Sequence, residues 1–65
     1  MNWDQIQGNW RQLKGKIKAN WGDLTDDDLD SIDGRREELM GRLQKAYGIG
    51  RDEAERQIDD FERSL

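Results

Sequence analysis

Residues 8–29, GNWRQLKGKIKANWGDLTDDDL, decide the fold that this sequence can adopt. They contain an amphipathic segment rich in tryptophan, then a glycine at which a helix can end, Gly22. An acidic segment at which a new helix can begin follows in residues 25–29, and we call it the acidic restart. Gly22 follows the last apolar residue of the segment, Trp21, at the position where helices commonly end in glycine. We therefore predict that one helix ends here and that a second begins within a few residues.

The segment before Gly22 belongs to a longer apolar stripe, which begins near the N-terminus. Successive members are three, four, three, four and four residues apart, the spacing of one face of an α-helix. The stripe consists of Trp3, Ile6, Trp10, Leu13, Ile17 and Trp21. It predicts a single first helix. Gly8 and Gly15 lie nearly opposite the stripe, so either another surface packs closely there or flexibility is tolerated because the tryptophans compensate.

The acidic restart carries the signals of a helix N-terminus. Thr25 is placed as the N-cap, and Asp28 stands at the third helical position, which completes a capping box. Leu24 and Leu29 have the spacing of a hydrophobic staple. The neighbouring aspartates complement the helix dipole. We predict a short second helix that ends between residues 31 and 34.

Two more helices follow in the second half of the chain. The third spans roughly residues 35–47 and closes at Gly48, and the fourth opens at Gly50. Arg36 projects from the apolar arc of the third helix, and the aspartates of residues 26–33 are its nearest candidate partners. Acid-before-base pairs four residues apart are predicted to support the helix surfaces. These pairs are Glu38 with Arg42, Asp52 with Arg56, and Asp59 with Arg63.

These segments predict an all-α fold. No segment alternates with a period of two, and proline is absent. Since short linkers turn helices back on one another, residues 1–65 are expected to form a single domain. Its predicted architecture is a small four-helix bundle of two packed helical hairpins with a short second helix. The predicted core includes Trp10, Leu13, Ile17, Leu29, Leu43, Ile58 and Phe61.

The composition excludes several kinds of chemistry. The chain has no cysteine and no histidine, so disulfides, thiolate metal sites and imidazole bases are ruled out. The run DDDLDSIDG invites comparison with a calcium-binding loop, but aligning it on Gly34 puts Leu29 and Met40 where carboxylates are required. Only weak divalent-ion association through clustered charge is left open. We predict no metal site, no cofactor, no catalytic residue and no enzymatic activity.

Charge and hydropathy limit the kinds of partner and the cellular location that we expect for this protein. Charged residues make up 40% of the chain and mean hydropathy is −1.22, yet three tryptophans argue for a real core. The net charge of −4 disfavours nucleic-acid binding. Apolar runs are far shorter than the roughly 20 residues of a membrane span, and the N-terminus lacks the pattern of a secretory signal. We expect a cytoplasmic protein without a transmembrane segment.

One basic strip is a candidate interaction face. Arg11, Lys14 and Lys18 share a face of the predicted first helix beside Trp10 and Trp21, a combination found in proteins that bind nucleic acids or anionic surfaces. The alternative is structural: the lysine stems cover the tryptophan edges while their charged ends remain in water.

The whole chain resembles the CsbD-like family of small bacterial proteins. The motifs that carry the resemblance are NWxxxxGNWxxLKGKxKxxWG, LTDDDL, IDGRREELMGRLQKAYG and DEAERQIDDFE. The resemblance implies a general stress-response protein, expressed on starvation, osmotic stress or entry into stationary phase. It also implies a fold like that of SAM domains, with two orthogonally packed helical hairpins. It implies no functional residues.

Three hypotheses about function follow. The first is a non-enzymatic cytoplasmic stress-response protein that acts as a soluble interaction or protective module. The alternative is a binding module that docks a polyanion or an acidic partner through the basic strip. The third is self-association through surplus apolar surface on the first helix. The expected oligomeric state is therefore either a monomer or a weakly self-associating protein.

Overall fold

A computed structural model describes residues 1–65, and all its regular secondary structure is α-helical. Helices that are consecutive in sequence are neighbours in space: α2 packs against α1 and α3, and α4 packs against α3 and α5. This confirms the predicted all-α bundle. The helices are α1 (Trp3–Gly8), α2 (Trp10–Asn20), α3 (Asp26–Ile32), α4 (Arg36–Tyr47) and α5 (Arg51–Ser64).

The structure has five helices rather than four, because the predicted first helix is interrupted at Asn9. This residue has φ −110° and ψ 24°, outside the helical range, and its side-chain amide donates a hydrogen bond of 2.9 Å to the Gln5 carbonyl. On the far side of the break, the Trp3 indole N–H reaches the Gly34 carbonyl at 2.8 Å. Tertiary docking of α1 therefore accompanies the interruption of a stripe that is continuous in sequence.

The predicted helix boundaries in the middle of the chain are confirmed. The backbone N–H of Asp28 donates to the Thr25 hydroxyl at 3.0 Å, and the Thr25 N–H donates to the Asp28 carboxylate at 3.0 Å, which is the predicted capping box. Gly48 closes α4 with a left-handed φ of 63°, and Gly50 is the N-cap of α5. Gly22 does follow the last residues of α2, but its φ is not left-handed. Its position is as predicted, whereas the left-handed turn typical of such glycines is absent.

A single cluster of 14 buried hydrophobic residues forms the core, and it contains all seven residues predicted to be buried. No polar or charged side chain is buried. The cluster consists of Ile6, Trp10, Leu13, Ile17, Trp21, Leu24, Leu29, Ile32, Leu39, Met40, Leu43, Ala54, Ile58 and Phe61. Tyr47, at the end of α4, is exposed, and its hydroxyl accepts a hydrogen bond from the Asp23 N–H at 3.1 Å.

The tryptophans connect the N-terminal stripe to three later parts of the chain. Each indole N–H has an acceptor, as partly or fully buried tryptophans usually do. The bonds run from Trp3 to the Gly34 carbonyl (2.8 Å), from Trp10 to the Leu29 carbonyl (3.0 Å) and from Trp21 to the Gln57 side chain (2.9 Å). These residues therefore orient the stripe as well as fill the core.

The predicted partners of Arg36 were wrong. Its guanidinium lies 2.8 Å from the Asp59 carboxylate and 3.4 Å from that of Glu62, both on α5 rather than among the aspartates of residues 26–33. The side chain leaves α4 on the side where α5 packs, so the nearest acids in space are distant in sequence.

The three predicted acid–base pairs are also replaced by others. Each arginine has a closer carboxylate, either on a neighbouring helix or three or four residues away on α5. The observed pairs are Arg42 with Asp28, Arg56 with Glu53 and Asp60, and Arg63 with Asp60. Local spacing alone did not identify these partners because several acids compete for each arginine.

The glycines inside α2 and α4 provide a first prediction. Gly15 and Gly41 are exposed, and a methyl group added to either would meet nothing within 4 Å. We expect Gly15→Ala and Gly41→Ala each to raise the free energy of unfolding by about 0.5 to 1 kcal/mol, because alanine restricts the unfolded chain and favours the helix. Urea denaturation measures the change. Lower stability in either variant would mean that the glycine has a structural role in the folded chain.

Candidate interaction face

The candidate face lies along one side of α2, and the structure brings only part of it to the surface. Trp10 is 6% exposed and belongs to the core. Arg11 is exposed, and the side chains of Lys14 and Lys18 are 33% and 48% exposed. Because the indole is covered, any contact made by this face is made through the three cations.

The two lysines are paired with α3. Lys14 forms an ion pair with Asp30, and the Lys18 ammonium lies 2.8 Å from the Asp26 carboxylate. The lysine that comes later in α2 pairs with the aspartate that comes earlier in α3, as expected for an antiparallel helical hairpin. The aspartate side chains are 63% and 77% exposed, so water screens both pairs and each is expected to be weak.

Arg11 differs from the lysines because it forms no ion pair or side-chain hydrogen bond. It shares this property with Lys16, which lies on the opposite flank of α2. The candidate face therefore presents one free guanidinium beside two ammonium groups that already have carboxylate partners.

Sequence analysis missed this pairing of α2 with α3, although a signal was present. Lys14 and Lys18 are four residues apart, and so are Asp26 and Asp30. Residues with that spacing share one face of a helix. Two helices folded back on each other through a short linker can bring such faces into register, and this could have been read from the chain.

Two aspartates of α3 have lowered pKa values. Hydrogen bonding and charge from Lys18 lower the pKa of Asp26. The pKa of Asp28 is lowered mainly by the hydrogen bond from the Thr25 backbone N–H, with smaller contributions from the Thr25 hydroxyl and from Arg42, while partial desolvation opposes them. Both carboxylates are thus held in the charged form by contacts that also hold the helix in place.

Asp28 provides a prediction about pH. Because its pKa is lower in the folded chain than the ordinary value of about 4, its charged form stabilises the fold above that value, and the contribution is lost as the pH falls below it. We expect Asp28→Asn to lower the melting temperature at pH 7, and we expect the difference in melting temperature between variant and parent to become smaller as the pH falls below about 4. Melting followed by circular dichroism across this range measures the effect.

Asp27→Asn is the matched control for this experiment. Asp27 lies beside Asp28 in the first turn of α3, and its exposed side chain makes no ion pair or hydrogen bond. The proposed role of the cap in the acid sensitivity of the fold would be contradicted by either of two results. One is a difference in melting temperature between Asp28→Asn and the parent that does not change with pH. The other is an equal decrease of that difference for the Asp27→Asn control.

The remaining surface features are polar. Three depressions on the surface are open to solvent and lined mainly by polar and charged side chains. No group of three or more acidic residues is arranged to hold a metal ion. No helix combines the length and apolar character needed to cross a lipid bilayer.

Comparison with known proteins identifies the family. A sequence profile described as CsbD-like matches residues 4–56. The chain belongs to the CsbD-like family. As the resemblance implied, this is a family associated with general stress responses.

Several relatives are similar over most of this CsbD-like chain. The UPF0337 protein PA4738 of Pseudomonas aeruginosa is 54% identical over 65 residues, 100% of both chains. The UPF0337 protein YjbJ of Escherichia coli is 50% identical over 62 residues, covering 95% of this chain and 90% of the relative. A UPF0337 protein of Nitrosomonas europaea is 54% identical over 61 residues, covering 94% of this chain but only 65% of the relative. None of these names specifies a catalytic activity.

Proposed function

We propose that this CsbD-like protein is a non-enzymatic, cytoplasmic stress-response protein that acts as a folded interaction or protective module. Membership of the CsbD-like family carries the proposal. The module is a single domain over residues 1–65, and its activity depends on the folded bundle rather than on its hydrophilic composition alone.

The distribution of polar groups supports this proposal. Catalytic groups are commonly buried and have strongly shifted pKa values, whereas the buried side chains here are all hydrophobic. The groups with shifted pKa values lie at the surface, in contacts within and between helices. The charged residues therefore serve to keep the bundle folded and to present a strongly hydrated surface.

A survival experiment tests the proposal. A bacterium from which this gene has been deleted is compared with its parent under osmotic stress, drying and prolonged stationary phase. The deletion strain is expected to survive less well, and the intact gene is expected to restore survival. A deletion strain indistinguishable from its parent under all three stresses would refute a protective role.

The same strains separate a folded module from a protective solute. Complementation with Leu43→Ala, which removes a side chain that is fully buried in the core, is expected to fail. Leu65→Ala, at the half-buried C-terminus, is the control and is expected to succeed. Equal rescue by both variants, with equal protein levels in the cell, would show that the folded bundle is not what protects.

A second candidate function is the docking of a polyanion or an acidic partner. The exposed, unpaired guanidinium of Arg11 favours it, because a free cation beside two weakly paired lysines can contribute to an anion-binding face. The bound anion would have to displace Asp26 and Asp30 from the lysines. This competition gives the hypothesis an unusual consequence, since removing the aspartates should strengthen binding.

Binding to polyglutamate at several salt concentrations tests this second function. Binding is expected to weaken with salt and to fade when Arg11, Lys14 and Lys18 are all changed to glutamine. The double variant Asp26→Asn/Asp30→Asn is expected to bind more tightly than the parent. Lys16→Gln, on the opposite flank of α2, controls for the loss of one positive charge. Binding that does not respond to the triple variant would exclude this face.

A further inference from the structure

The junction between α1 and α2 lacks several hydrogen bonds of a continuous helix. The Asn9 N–H donates to the Gln5 carbonyl at 3.0 Å, and the Asn9 carbonyl accepts from the Leu13 N–H at 3.0 Å. Between these two bonds, α2 begins anew at Trp10 and Asn9 provides no side-chain cap, so the N–H groups of residues 10, 11 and 12 lie in the first turn of a helix, where intrahelical acceptors are lacking. Three helical hydrogen bonds are therefore missing at the kink, and each could form if the chain straightened.

The sequence around the kink is compatible with a straight helix. The apolar stripe continues at helical spacing from Ile6 to Trp10 across the interruption. The region contains no proline, the residue that would prevent helical continuation. The kink at Asn9 thus arises from how α1 docks and from the Asn9 side-chain bond to Gln5, and no residue forbids the straight form.

Helix α1 is held in place by contacts with distant parts of the chain. We call the surface on which it docks, which includes the backbone carbonyls of Gly34 and Glu62, its seat. Ile6 is 0% exposed within the core. The Trp3 indole N–H donates to the Gly34 carbonyl at 2.8 Å, and the N-terminal ammonium donates to the Glu62 carbonyl at 3.2 Å. A six-residue helix is too short to be stable alone, so α1 depends on this seat, and the seat is left open when α1 leaves it.

We propose that two copies of this chain exchange α1 by straightening at Asn9. In the resulting dimer, residues 3–20 of each copy form one continuous helix, and each α1 occupies the seat of the other copy. All contacts between α1 and its seat are retained, now between chains, while the hydrogen bonds missing at the kink are formed. Exchange of an identical element between copies is a known route to dimers when a hinge connects it to the rest of the fold.

The occupant of the open seat is a second copy because its α1 already has the required groups. It supplies the indole donor for Gly34 and the side chain of Ile6 for the core, with no change in sequence. In the straight form, Trp3 and Ile6 project from the stripe of the elongated helix without partners in their own chain. The same step therefore creates an empty seat and a segment that fits it.

Variants at the hinge test the exchange. Gly8→Ala/Asn9→Ala favours the helix at the junction and removes the Asn9 side-chain bond to Gln5. A methyl group on Gly8 meets nothing within 4 Å, so this half of the change introduces no clash in the monomer, whereas the Asn9 half removes one contact that holds the kink. The dimerisation constant, measured by sedimentation, is expected to rise about tenfold or more. Gly15→Ala, also exposed with open space around it, is the control and is expected to leave the constant unchanged.

Hydrogen exchange and NMR of the dimer distinguish exchange of α1 from ordinary surface association. The amides of Trp10, Arg11 and Gln12 are expected to exchange rapidly in the monomer and to be protected in the dimer. In a mixture of labelled and unlabelled chains, contacts between the Trp3 indole and Gly34 are expected between copies. A dimer without these two signatures, or a hinge variant that remains monomeric at millimolar concentration, would overturn the proposal.

Discussion

Replacing Leu43 with alanine is expected to lower the free energy of unfolding by about 2 to 5 kcal/mol, the range for removing a buried leucine side chain. Leu43 is fully buried on α4, which packs against both α3 and α5. The substitution removes a fully buried side chain from the core cluster and leaves a cavity there. A domain of this size has a total stability near the low end of the usual range, about 5 kcal/mol. We therefore expect the variant to be largely unfolded at 37 °C.

Thermal and urea denaturation followed by tryptophan fluorescence measure this effect, because the buried indoles of Trp10 and Trp21 report on the core. Leu65→Ala is the matched control. Its side chain is only partly buried at the end of the chain and packs against the edge of the same cluster. A Leu43→Ala variant that stays fully folded at 37 °C would mean that this face of α4 does not pack as observed.

Replacing Gly34 with alanine is expected to lower the free energy of unfolding by about 2 to 4 kcal/mol. Gly34 has φ +80°, a conformation that disfavours residues with a side chain. A methyl group there would also lie 2.8 Å from the Gln7 Cγ and 3.2 Å from the Gln7 Cα on α1. The side chain could move aside, but the backbone of α1 would have to shift, which would pull Trp3 from the Gly34 carbonyl.

Gly48→Ala separates the two causes of this destabilisation. Gly48 has a similar φ of +63° at the end of α4, but nothing lies within 4 Å of an added methyl group. We expect it to lose only the backbone component, about 1 to 2 kcal/mol. The excess loss in Gly34→Ala measures the close approach of α1. If both variants lose the same stability, α1 does not rest on this turn.

The Gly34 substitution also bears on the exchange of α1. Both the monomer and the exchanged dimer need Gly34 beside Gln7, so the substitution weakens the seat in either form. The hinge variant Gly8→Ala/Asn9→Ala instead leaves the seat intact and changes only the connection. Comparing the two therefore separates loss of docking from loss of the kink, which a single variant could not do.

Local signals in the sequence predicted the helices and the core well. The spacing of apolar residues identified one face of each helix, because burial requires such a face whatever it packs against. The capping box of Thr25 and Asp28 and the closing glycine Gly48 were predicted from backbone groups that must be satisfied within a few residues. Such requirements are local, so they can be read without knowing the tertiary structure.

The candidate interaction face was only partly predictable. The spacing of Arg11, Lys14 and Lys18 placed them on one flank of a helix, where they lie. The burial of Trp10 also followed from the stripe, and it removes the aromatic part of the predicted face. The pairing of both lysines with α3 depended on the direction and register of a neighbouring helix. Sequence alone presented fifteen acidic residues as candidate partners.

The sequence by itself determined the class of fold, the helix boundaries around residues 20–50 and the residues of the core, since hydrophobic periodicity and end-capping act over short distances. Only the tertiary structure decided the break at Asn9, the partners of Arg36 and the need for glycine at position 34. Each of these depends on which distant groups come together. A stripe that is continuous in the sequence is interrupted at Asn9 because α1 gains its buried contacts and its indole hydrogen bond by docking beside Gly34, and the helical bonds missing at the junction are the cost of that arrangement.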